Sequence, residues 1–309
     1  MVLVTSTLTL DQLRVLVTIA DSGSFSAAGR ALFRAQSAVS QAVATLEAHQ
    51  GVTLFDRSGY RPQLTEVGRV LVDQARLVLA SAARFEAVAA GTRVGLEAEL
   101  AVAIDPLVPS EPLVDTLRDL SHTFPDLPLR FSTEGLGGSL RSLRRDVVSL
   151  AICLLLPAVP EDIVAYPLLK VPLRPVVAPS HPLAALTRPA RPDDLESHIQ
   201  LVLSDPVEPE EANYGVVSAR LWRFVDLSRR LDVLSAGFGW CRMPEHLIRE
   251  HLADGSLIVF QIEHDSTPVE GLTIYAAHRK DRTLGPAGHW LLSALRQRFT
   301  AVFTTPDAR

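Results

Sequence analysis

The sequence of 309 residues has little cysteine, little aromatic side chain and no long apolar run. Its two cysteines, Cys153 and Cys241, are too few for a disulfide framework or a four-cysteine zinc site. Proline or charge interrupts every apolar stretch before it reaches the length of a membrane span. Residues 1–10 show no basic region before an apolar core, so we expect no signal peptide and a cytoplasmic protein without membrane contact.

The familiar signatures of catalysis and metal binding are also missing. The nine histidines are scattered without metal-ligand spacing, and His246 and His251, five residues apart, do not share a helix face. There is no phosphate-binding Walker loop, no G-x-S-x-G elbow and no complete G-x-G-x-x-G motif. We therefore expect no enzyme, no metal and no cofactor.

The length of 309 residues predicts a globular chain of about two domains. The composition is 47% hydrophobic and 21% charged, and the net charge is −5. Residues 1–90 carry eight arginines, no lysine and seven acidic side chains, whereas residues 91–309 carry a net charge of −6. An acidic chain can still bind nucleic acid, because the local field at the contact decides, but its basic footprint must be small.

Three short helices are predicted at the start of the chain. Thr9 begins a capping box, so the first helix follows it and ends at Gly23. Ser24 is a suitable N-cap for a second helix, and a third is expected over residues 36–49. The inward face of the third helix is predicted to consist of Val39, Val43 and Leu46.

The outer face of the third predicted helix carries no acidic side chain. Residues four apart lie together on a helix, and here they are small or amide side chains. Such a face can enter a major groove without repelling phosphate, and glutamine and serine can bond to base edges. A merely solvated face is the alternative, although such faces usually carry lysine and glutamate. The predicted DNA contacts are Gln36, Ser37, Ser40 and Gln41.

A hairpin is predicted over residues 52–64, because Ser58-Gly59 is a turn signal between two short extended runs. A hairpin after three short helices is typical of a winged helix-turn-helix, whose wing arginines contact phosphate or the minor groove. Arg57 and Arg61 near the tip, and Arg34 before the third helix, are therefore predicted DNA contacts. A solvated surface position is the alternative for each.

A long helix is predicted from residue 65 to about residue 90. Two interleaved seven-residue series of apolar residues run along it, which is typical of a helix–helix seam. Packing against the core of the same chain is the alternative. We favour a dimer, because a helix that links two domains has little core of its own. The predicted dimer contacts are Leu71, Ala75, Val78, Ala82 and Phe85.

Several short motifs stand in a fixed order over about sixty residues. They are Leu13, Ser24-Phe-Ser-Ala-Ala28, Gln36-Ser-Ala-Val-Ser40, Leu46-Glu47, Leu54-Phe-Asp-Arg57 and Leu64-Thr-Glu-Val-Gly68. Together they resemble the family of LysR-type transcriptional regulators. The resemblance implies sequence-specific DNA binding by a winged helix-turn-helix, a linker helix that dimerises, and control by a small-molecule effector. It also implies a homodimer or a dimer of dimers, with RNA polymerase as a further candidate partner.

The chain departs from the family pattern at Gly29, where alanine is common, and at Gln50, where an apolar residue is usual. We interpret both as local stability costs, about 0.5–1 kcal/mol for a glycine inside a helix. Neither residue lies on the predicted DNA-binding face, so the predicted role of the first domain is unaffected.

The expected fold class is α/β with an N-terminal winged helix-turn-helix, joined by the linker helix to a two-lobed domain that resembles periplasmic binding proteins. The winged domain is expected over residues 1–64, the linker over 65–92 and the effector domain over 93–309. Crossings near Ala165 and Pro268 give a first lobe of residues 93–165 and 268–309 and a second lobe of 166–267.

Apolar runs that alternate with helical patterns support this α/β expectation for the effector domain. Strands are predicted over residues 99–104, 127–133, 147–155, 164–169, 174–178, 199–203, 257–261 and 272–278. Helices are predicted over residues 110–123, 140–145, 227–236, 244–253 and 285–303.

The cleft between the lobes is the default ligand site, near the carboxyl ends of strands. Each candidate has an alternative role. Asp105 could simply initiate a turn and not contact a ligand. Gly137-Gly138-Ser139 could hold an anion or be a flexible helix cap, and Trp240 could belong to the core or to the pocket wall. No arginine clamp announces a dicarboxylate or a phosphate. The predicted effector contacts are Asp105, Leu107, Gly138, Ser139, Ser204, Trp222, Gly237 and Trp240.

A small-molecule-binding module and an enzyme are the rival functions to DNA-binding regulation. An enzyme in the α/β domain would need a convergent set of nucleophile, base or metal ligands, and the sequence offers none. A cytoplasmic small-molecule-binding module without DNA binding has no use for an acid-free third helix followed by an arginine-bearing hairpin. Redox sensing is a minor alternative, in which Cys241 has a lowered pKa just before a helix that begins at Pro244. Cys153, in an apolar strand, is expected to be buried and inert.

Overall fold

The computed structural model describes residues 8–56, 62–93, 95–205, 207, 215–265, 268 and 270–304, the last five without their side chains. The chain folds into two compact units, residues 1–90 and 91–309. Within the described ranges, no helix combines the length and the apolar character that crossing a membrane requires.

The first unit consists of three helices, a hairpin and most of a long fourth helix. Its elements are α1 (Leu10–Ser22), α2 (Phe25–Ala31), α3 (Gln36–Gln50), β1 (Phe55–Asp56), β2 (Gln63–Leu64) and α4 (Glu66–Arg93). The predicted capping box is confirmed: the Thr9 hydroxyl accepts from the N–H of Gln12, whose side chain accepts from the N–H of Thr9. β1 and β2 pair antiparallel, as the predicted hairpin requires, and its predicted turn at Ser58-Gly59 lies outside the described residues.

The core of the first unit joins α1, α2, α3 and the hairpin. Val39, Val43 and Leu46 are buried, as predicted from the periodicity of α3. The rings of Phe25 and Phe55 meet edge to face at 5.2 Å, which ties α2 to the hairpin. This packing holds α3 with its other face towards solvent.

Gly29, expected to be a local cost, has a packing reason in the structure. A Cβ at this position would lie 2.8 Å from the carbonyl oxygen of Arg34, which is closer than such atoms approach. The glycine therefore permits the tight turn between α2 and α3.

The early turns of α4 correct part of the predicted dimer seam. Val72 and Ala75 are buried, and Leu71 packs against the same cluster in the core of the first unit. Ala75 and Leu71 are thus engaged within their own chain, because the preceding helices supply a core on that side of α4. Val78 and Phe85 remain 44% and 77% exposed, and Ala82 is partly exposed.

Gly68 is the position of α4 where a side chain fits least. We expect Gly68→Ala to destabilise the first unit by about 3 kcal/mol, because its Cβ would stand 2.2 Å from the backbone oxygen of Leu54. Urea unfolding followed by far-ultraviolet circular dichroism measures the loss. Gly91→Ala is the matched control in the same helix, since the nearest atom there belongs to the flexible side chain of Leu96. Equal stabilities of the two variants would contradict the prediction.

The second unit contains ten strands and six α-helices in its described part. The elements are β3 (Leu100–Ile104), α5 (Ser110–Thr123), β4 (Leu129–Thr133), α6 (Gly138–Arg144), β5 (Leu150–Leu154), β6 (Ile163–Val171), β7 (Leu173–Val177), α7 (Pro192–Glu196), β8 (Gln200–Leu203), β9 (Leu221–Phe224), α8 (Leu227–Ser235), β10 (Trp240–Pro244), α9 (Glu245–Ala253), β11 (Ile258–Val259), β12 (Leu272–Arg279) and α10 (Pro286–Thr304).

Two five-stranded sheets divide this unit into two lobes. The first lobe has the strand order β4-β3-β5-β12-β6, and the second has the order β11-β7-β10-β8-β9. In the first sheet, β4, β3 and β5 run parallel, while β12 is antiparallel to both of its neighbours. The predicted α/β class is confirmed.

The first crossing between the lobes lies at Pro172 and not near Ala165. β6 pairs with β12 from Ile163 to Val171, so this whole strand belongs to the first lobe. The next strand, β7, pairs with β10 and β11 in the second sheet. The first lobe therefore extends six residues beyond the predicted boundary, because a long edge strand passes the point where the sequence suggested a crossing.

Two strands of the second lobe were not predicted. β9 was missed, and so was β10, which begins at Trp240 and pairs with both β7 and β8. The helix predicted over residues 244–253 is present as α9, but it begins one residue later, because Pro244 is the last residue of β10 and the N-cap of the helix. β10 is the central strand of its sheet, but its arginine and proline are uncommon in central strands, so the sequence pattern did not indicate a strand.

Candidate DNA-binding face and interlobe pocket

The outward face of α3 presents hydrogen-bonding groups to solvent. Gln36, Ser37 and Gln41 are exposed, and Ser40 is partly exposed. The amide of Gln41 reaches the hydroxyl of Thr45 at 3.5 Å, a weak contact that leaves it free to turn outward. The four residues predicted to contact DNA thus lie on one accessible face.

Glu47, the acidic residue of α3, is bonded away from this face. Its Oε1 accepts from the backbone N–H groups of Leu54 and Phe55 at 2.7 and 3.2 Å. The carboxylate therefore fixes the start of the hairpin to α3. The outward face of α3 therefore carries no negative charge, and the start of β1 is held against α3.

The predicted arginine contacts differ in their surroundings. Arg34 donates two hydrogen bonds to Asp11, at 2.7 and 2.8 Å, and this pairing lowers the pKa of Asp11. Arg34 therefore links α1 to the turn before α3, a structural role that the sequence did not predict. The side chain of Arg34 nevertheless remains 42% exposed. Arg57 and Arg61 lie outside the described residues.

A small pocket of about 80 Å³ lies between the two lobes of the second unit. It is far smaller than the ~300–1,000 Å³ that is usual for drug-sized ligands. Leu107 is the predicted effector contact found among its described lining residues. The lining consists of Leu107, Leu136, Leu154, Leu156, Leu173, Gln200, Leu201, Val202, Leu203, Gly215, Arg230, Arg242 and Leu272.

Two arginines on the second-lobe side distinguish this pocket, and neither was predicted. Arg242 donates to the carbonyl of Gly215 at 2.8 Å and to Asp265 at 2.9 Å. Arg230 is 6% exposed and donates to the carbonyl of Arg242 at 3.1 Å and to the sulfur of Met243 at 3.2 Å. Among the described residues, Arg230 forms no ion pair with a carboxylate.

Burial lowers the pKa of Arg230. An arginine nevertheless stays protonated in proteins, so the pocket wall carries a buried positive charge. Leaving a buried charge unpaired costs several kcal/mol. The sequence does not indicate the burial of Arg230, because Arg229 and Arg230 both look like surface residues of an amphipathic helix.

The predicted anion site at Gly138 and Ser139 is filled by the chain itself. Asp205 of the second lobe accepts two bonds from Arg141 of the first, at 2.5 and 2.7 Å. Its carboxylate lies at the start of α6, where a Cβ on Gly137 would be 2.6 Å from it. Ser139 is buried and its hydroxyl approaches the carbonyl of Glu134. An effector anion is therefore not expected here, and the Arg141–Asp205 pair instead connects the lobes.

The remaining second-lobe candidates are not among the described lining residues of the pocket. Trp240 is fully buried, donates to the hydroxyl of Ser218 at 3.2 Å and belongs to the core, which corrects its assignment as a pocket wall. Trp222 is 42% exposed and packs against Phe238 on the surface. Ser204 is buried, and Gly237 closes the turn after α8.

The structure counts against the minor alternative of redox sensing through Cys241. Cys241 lies within β10, fully buried, and burial raises the pKa of its thiol to about 11. Cys153 is buried as expected, and its pKa is raised to about 12. A thiolate is the reactive form of cysteine, so both thiols are inert at neutral pH.

Asp105 supports the pocket without lining it. Its carboxylate is buried at the end of β3 and accepts from the N–H of Leu107 at 2.9 Å, which fixes the turn that presents Leu107. Burial raises the pKa of Asp105 to about 6, with backbone bonds from Leu107 and Leu154 opposing this effect.

This raised pKa makes a pH-dependent prediction. Between about pH 4 and pH 6 the folded chain holds a proton that the unfolded chain has lost, so stability falls as the pH rises. We expect Asp105→Asn to remove this slope and to stabilise the second unit by up to about 3 kcal/mol at pH 7. Urea unfolding followed by tryptophan fluorescence reports this unit, since all three tryptophans lie within it. An unchanged slope in the variant would refute the prediction.

Comparison with known protein families agrees with both units. The LysR substrate binding domain matches residues 93–300, and the bacterial regulatory helix-turn-helix of the lysR family matches residues 10–69. YhaJ, a probable HTH-type transcriptional regulator of Escherichia coli K12, is 30% identical over 308 residues, 94% of this chain and 97% of its own. A probable hydrogen peroxide-inducible genes activator of Mycobacterium xenopi is 34% identical over 180 residues, 58% of this chain and 95% of its own.

Solved structures share the fold. A cysteine mutant of Corynebacterium glutamicum OxyR aligns with a TM-score of 0.55 at 24% identity, over 95% of this chain and 92% of that one. A point mutant of full-length BenM aligns with a TM-score of 0.51 at 20% identity, over 98% of this chain and all of that one. From its family matches and its relatives, the chain belongs to the LysR family of DNA-binding transcriptional regulators, in which a helix-turn-helix domain precedes an effector-binding domain.

Proposed function

We propose that this regulator acts as a cytoplasmic homodimer that reads double-stranded DNA through Gln36, Ser37, Ser40 and Gln41. The exposed, acid-free face of α3 carries the proposal, because its amide and hydroxyl groups suit the edges of bases in a major groove. The wing residues Arg57 and Arg61 would supply phosphate or minor-groove contacts. A dimer of dimers and contact with RNA polymerase are compatible extensions of this arrangement.

The dimer is proposed to form along the exposed apolar stripe of α4, defined as Val67, Val70, Leu77, Val78 and Phe85. The stripe repeats at close to the seven-residue period of a helix–helix seam. This stripe omits Leu71 and Ala75 of the predicted seam, because both face the core of the first unit, and it adds Val67, Val70 and Leu77. A partly exposed Ala82 lies near it.

A small molecule in the interlobe pocket is proposed to control DNA affinity. To do so it must bind one arrangement of the lobes better than the other. The Arg141–Asp205 pair, which connects the lobes, would favour the closed arrangement. No metal or other cofactor is part of the proposal.

A gel-shift titration against the DNA upstream of the chain's own gene tests the proposed function. It is performed at two salt concentrations with random DNA as competitor, because phosphate contacts alone give salt-sensitive, non-specific binding. The proposal expects a shifted complex that survives the competitor. Absence of any complex at low salt would favour a small-molecule-binding module that does not bind DNA.

A further inference from the structure

The described residues around the interlobe pocket leave one positive charge without a negative partner. Arg242 is compensated, since Asp265 accepts from it and the carbonyl of Gly215 takes a second N–H. The side chain of Gln200 is engaged within the chain, because its oxygen accepts from the N–H groups of Val217 and Ser218 and its nitrogen donates to the carbonyl of Gly215. Among the described residues, Arg230 meets only neutral acceptors, so in this part of the chain no carboxylate balances its positive charge in the pocket wall.

Unused donors accompany the unbalanced charge. The Nε atoms of Arg230 and Arg242 are both buried, and neither has a hydrogen-bond acceptor among the described residues. A carboxylate accepts hydrogen bonds on two oxygens and forms its strongest bonds with guanidinium groups. A neutral ligand would leave the charge of Arg230 uncompensated.

The other walls of the pocket define the rest of the ligand. Every apolar side chain in the described lining is leucine or valine, contributed by both lobes. No aromatic ring is available in this described lining for stacking. The volume of about 80 Å³ restricts the ligand to a small molecule, and the leucine and valine walls suit an aliphatic body.

We propose that the effector is a short aliphatic monocarboxylate, anchored by its carboxylate on Arg230 with its chain among the leucines of both lobes. This inference rests on the proposed role of the interlobe pocket as the effector site. A dicarboxylate would bring a second charge against an arginine that Asp265 already neutralises.

Isothermal titration of the full chain with butanoate, 3-methylbutanoate and hexanoate tests the proposal. The neutral amide 3-methylbutanamide and the aromatic acid benzoate are the comparison ligands. We expect at least one aliphatic acid to bind, and 3-methylbutanamide and benzoate to bind at least about 10-fold more weakly than the best acid. Binding of the amide as tightly as the acid, or of no acid at all, would overturn the proposal.

Variants of α8 separate anchoring from a purely structural role. Arg230→Met is expected to lose acid binding by at least about 10-fold, and Arg230→Lys to retain part of it. Arg229→Met is the matched control, because Arg229 is exposed on the same helix and pairs with Asp232. If Arg230→Met does not fold, Arg230→Lys replaces it, and its affinity for the acid must still fall relative to the amide. Unchanged affinity in a folded Arg230 variant would refute the anchor.

The DNA-binding proposal fails independently of this one. A gel shift without any acid measures the first unit, whereas calorimetry measures the pocket without DNA. Acid binding in a chain that does not bind DNA would leave the Arg230 assignment intact and refute the DNA-binding proposal alone.

Discussion

Replacing Ser37 by glutamate is expected to weaken binding to the DNA fragment of the gel shift by at least about 100-fold. The new carboxylate would lie on the α3 face, next to phosphates and to base edges that mainly accept hydrogen bonds. The loss of the Ser37 hydrogen bond to DNA and the repulsion of the new carboxylate cost about 1.5 kcal/mol each, and together they correspond to about 100-fold in affinity. Ser37 is the second residue of α3, where a negative charge favours the helix, so the fold should be preserved.

His49→Glu provides the matched control for this substitution. It adds the same acidic side chain to an exposed position in the last turn of α3, away from the predicted contacts. Fluorescence anisotropy with labelled DNA at two salt concentrations measures both variants. We expect the control to stay within about threefold of the wild type. Equal losses in the two variants would show that net charge, and not the face of α3, determines binding.

Replacing Asp205 by alanine is expected to destabilise the second unit by about 3 kcal/mol. The carboxylate is 3% exposed and accepts from Arg141 as well as from the N–H of Val207. Its removal leaves the guanidinium of Arg141, which is only 21% exposed, without its partner between the lobes. Breaking a buried pair on one side costs about 3–5 kcal/mol, and the partial exposure of Arg141 places this case at the lower end.

Glu99→Ala is the comparison that isolates the effect of burial. Glu99 pairs with Arg130 at 3.0 Å, but both side chains are about half exposed. An exposed pair contributes about 0.2–1 kcal/mol, so this variant should lose little stability. Urea unfolding followed by tryptophan fluorescence compares the two variants in the same unit. Similar losses in both would mean that the Arg141–Asp205 pair does not connect the lobes energetically.

The first unit was predictable because its signals are local. The capping box at Thr9, the periodicity of Val39, Val43 and Leu46, and the hairpin around its turn each depend on residues close in sequence. The exposed face of α4 was predicted less well. Its seven-residue period was visible, but the side of the helix that faces the core depends on the packing of the preceding helices.

The second lobe was harder to predict for a related reason. β10 contains an arginine and a proline, and its strand character comes from pairing with β7 and β8, which are distant in sequence. The late crossing at Pro172 likewise depends on the pairing of β6 with β12. Patterns within a short window do not contain this information.

The pocket chemistry could not be predicted from the sequence. Asp205 and Arg141 lie 64 residues apart, so nothing local indicates that a carboxylate of the chain fills the predicted anion site. Arg230 differs from its neighbour Arg229 only in the direction in which it leaves α8. Leu107 was reached by the rule that ligands lie beyond strand ends, because that rule needs the topology alone.

Selection of binding sites from randomised DNA, for the wild type and for Gln41→Ala, tests the central claim most directly. If α3 reads bases, the wild type should enrich an inverted repeat that mirrors a twofold dimer, and Gln41→Ala should relax the preference at one symmetric pair of positions. Relaxation there with the rest of the motif intact is the result that we predict. The same motif from both proteins, or no enriched motif from the wild type, would contradict the account.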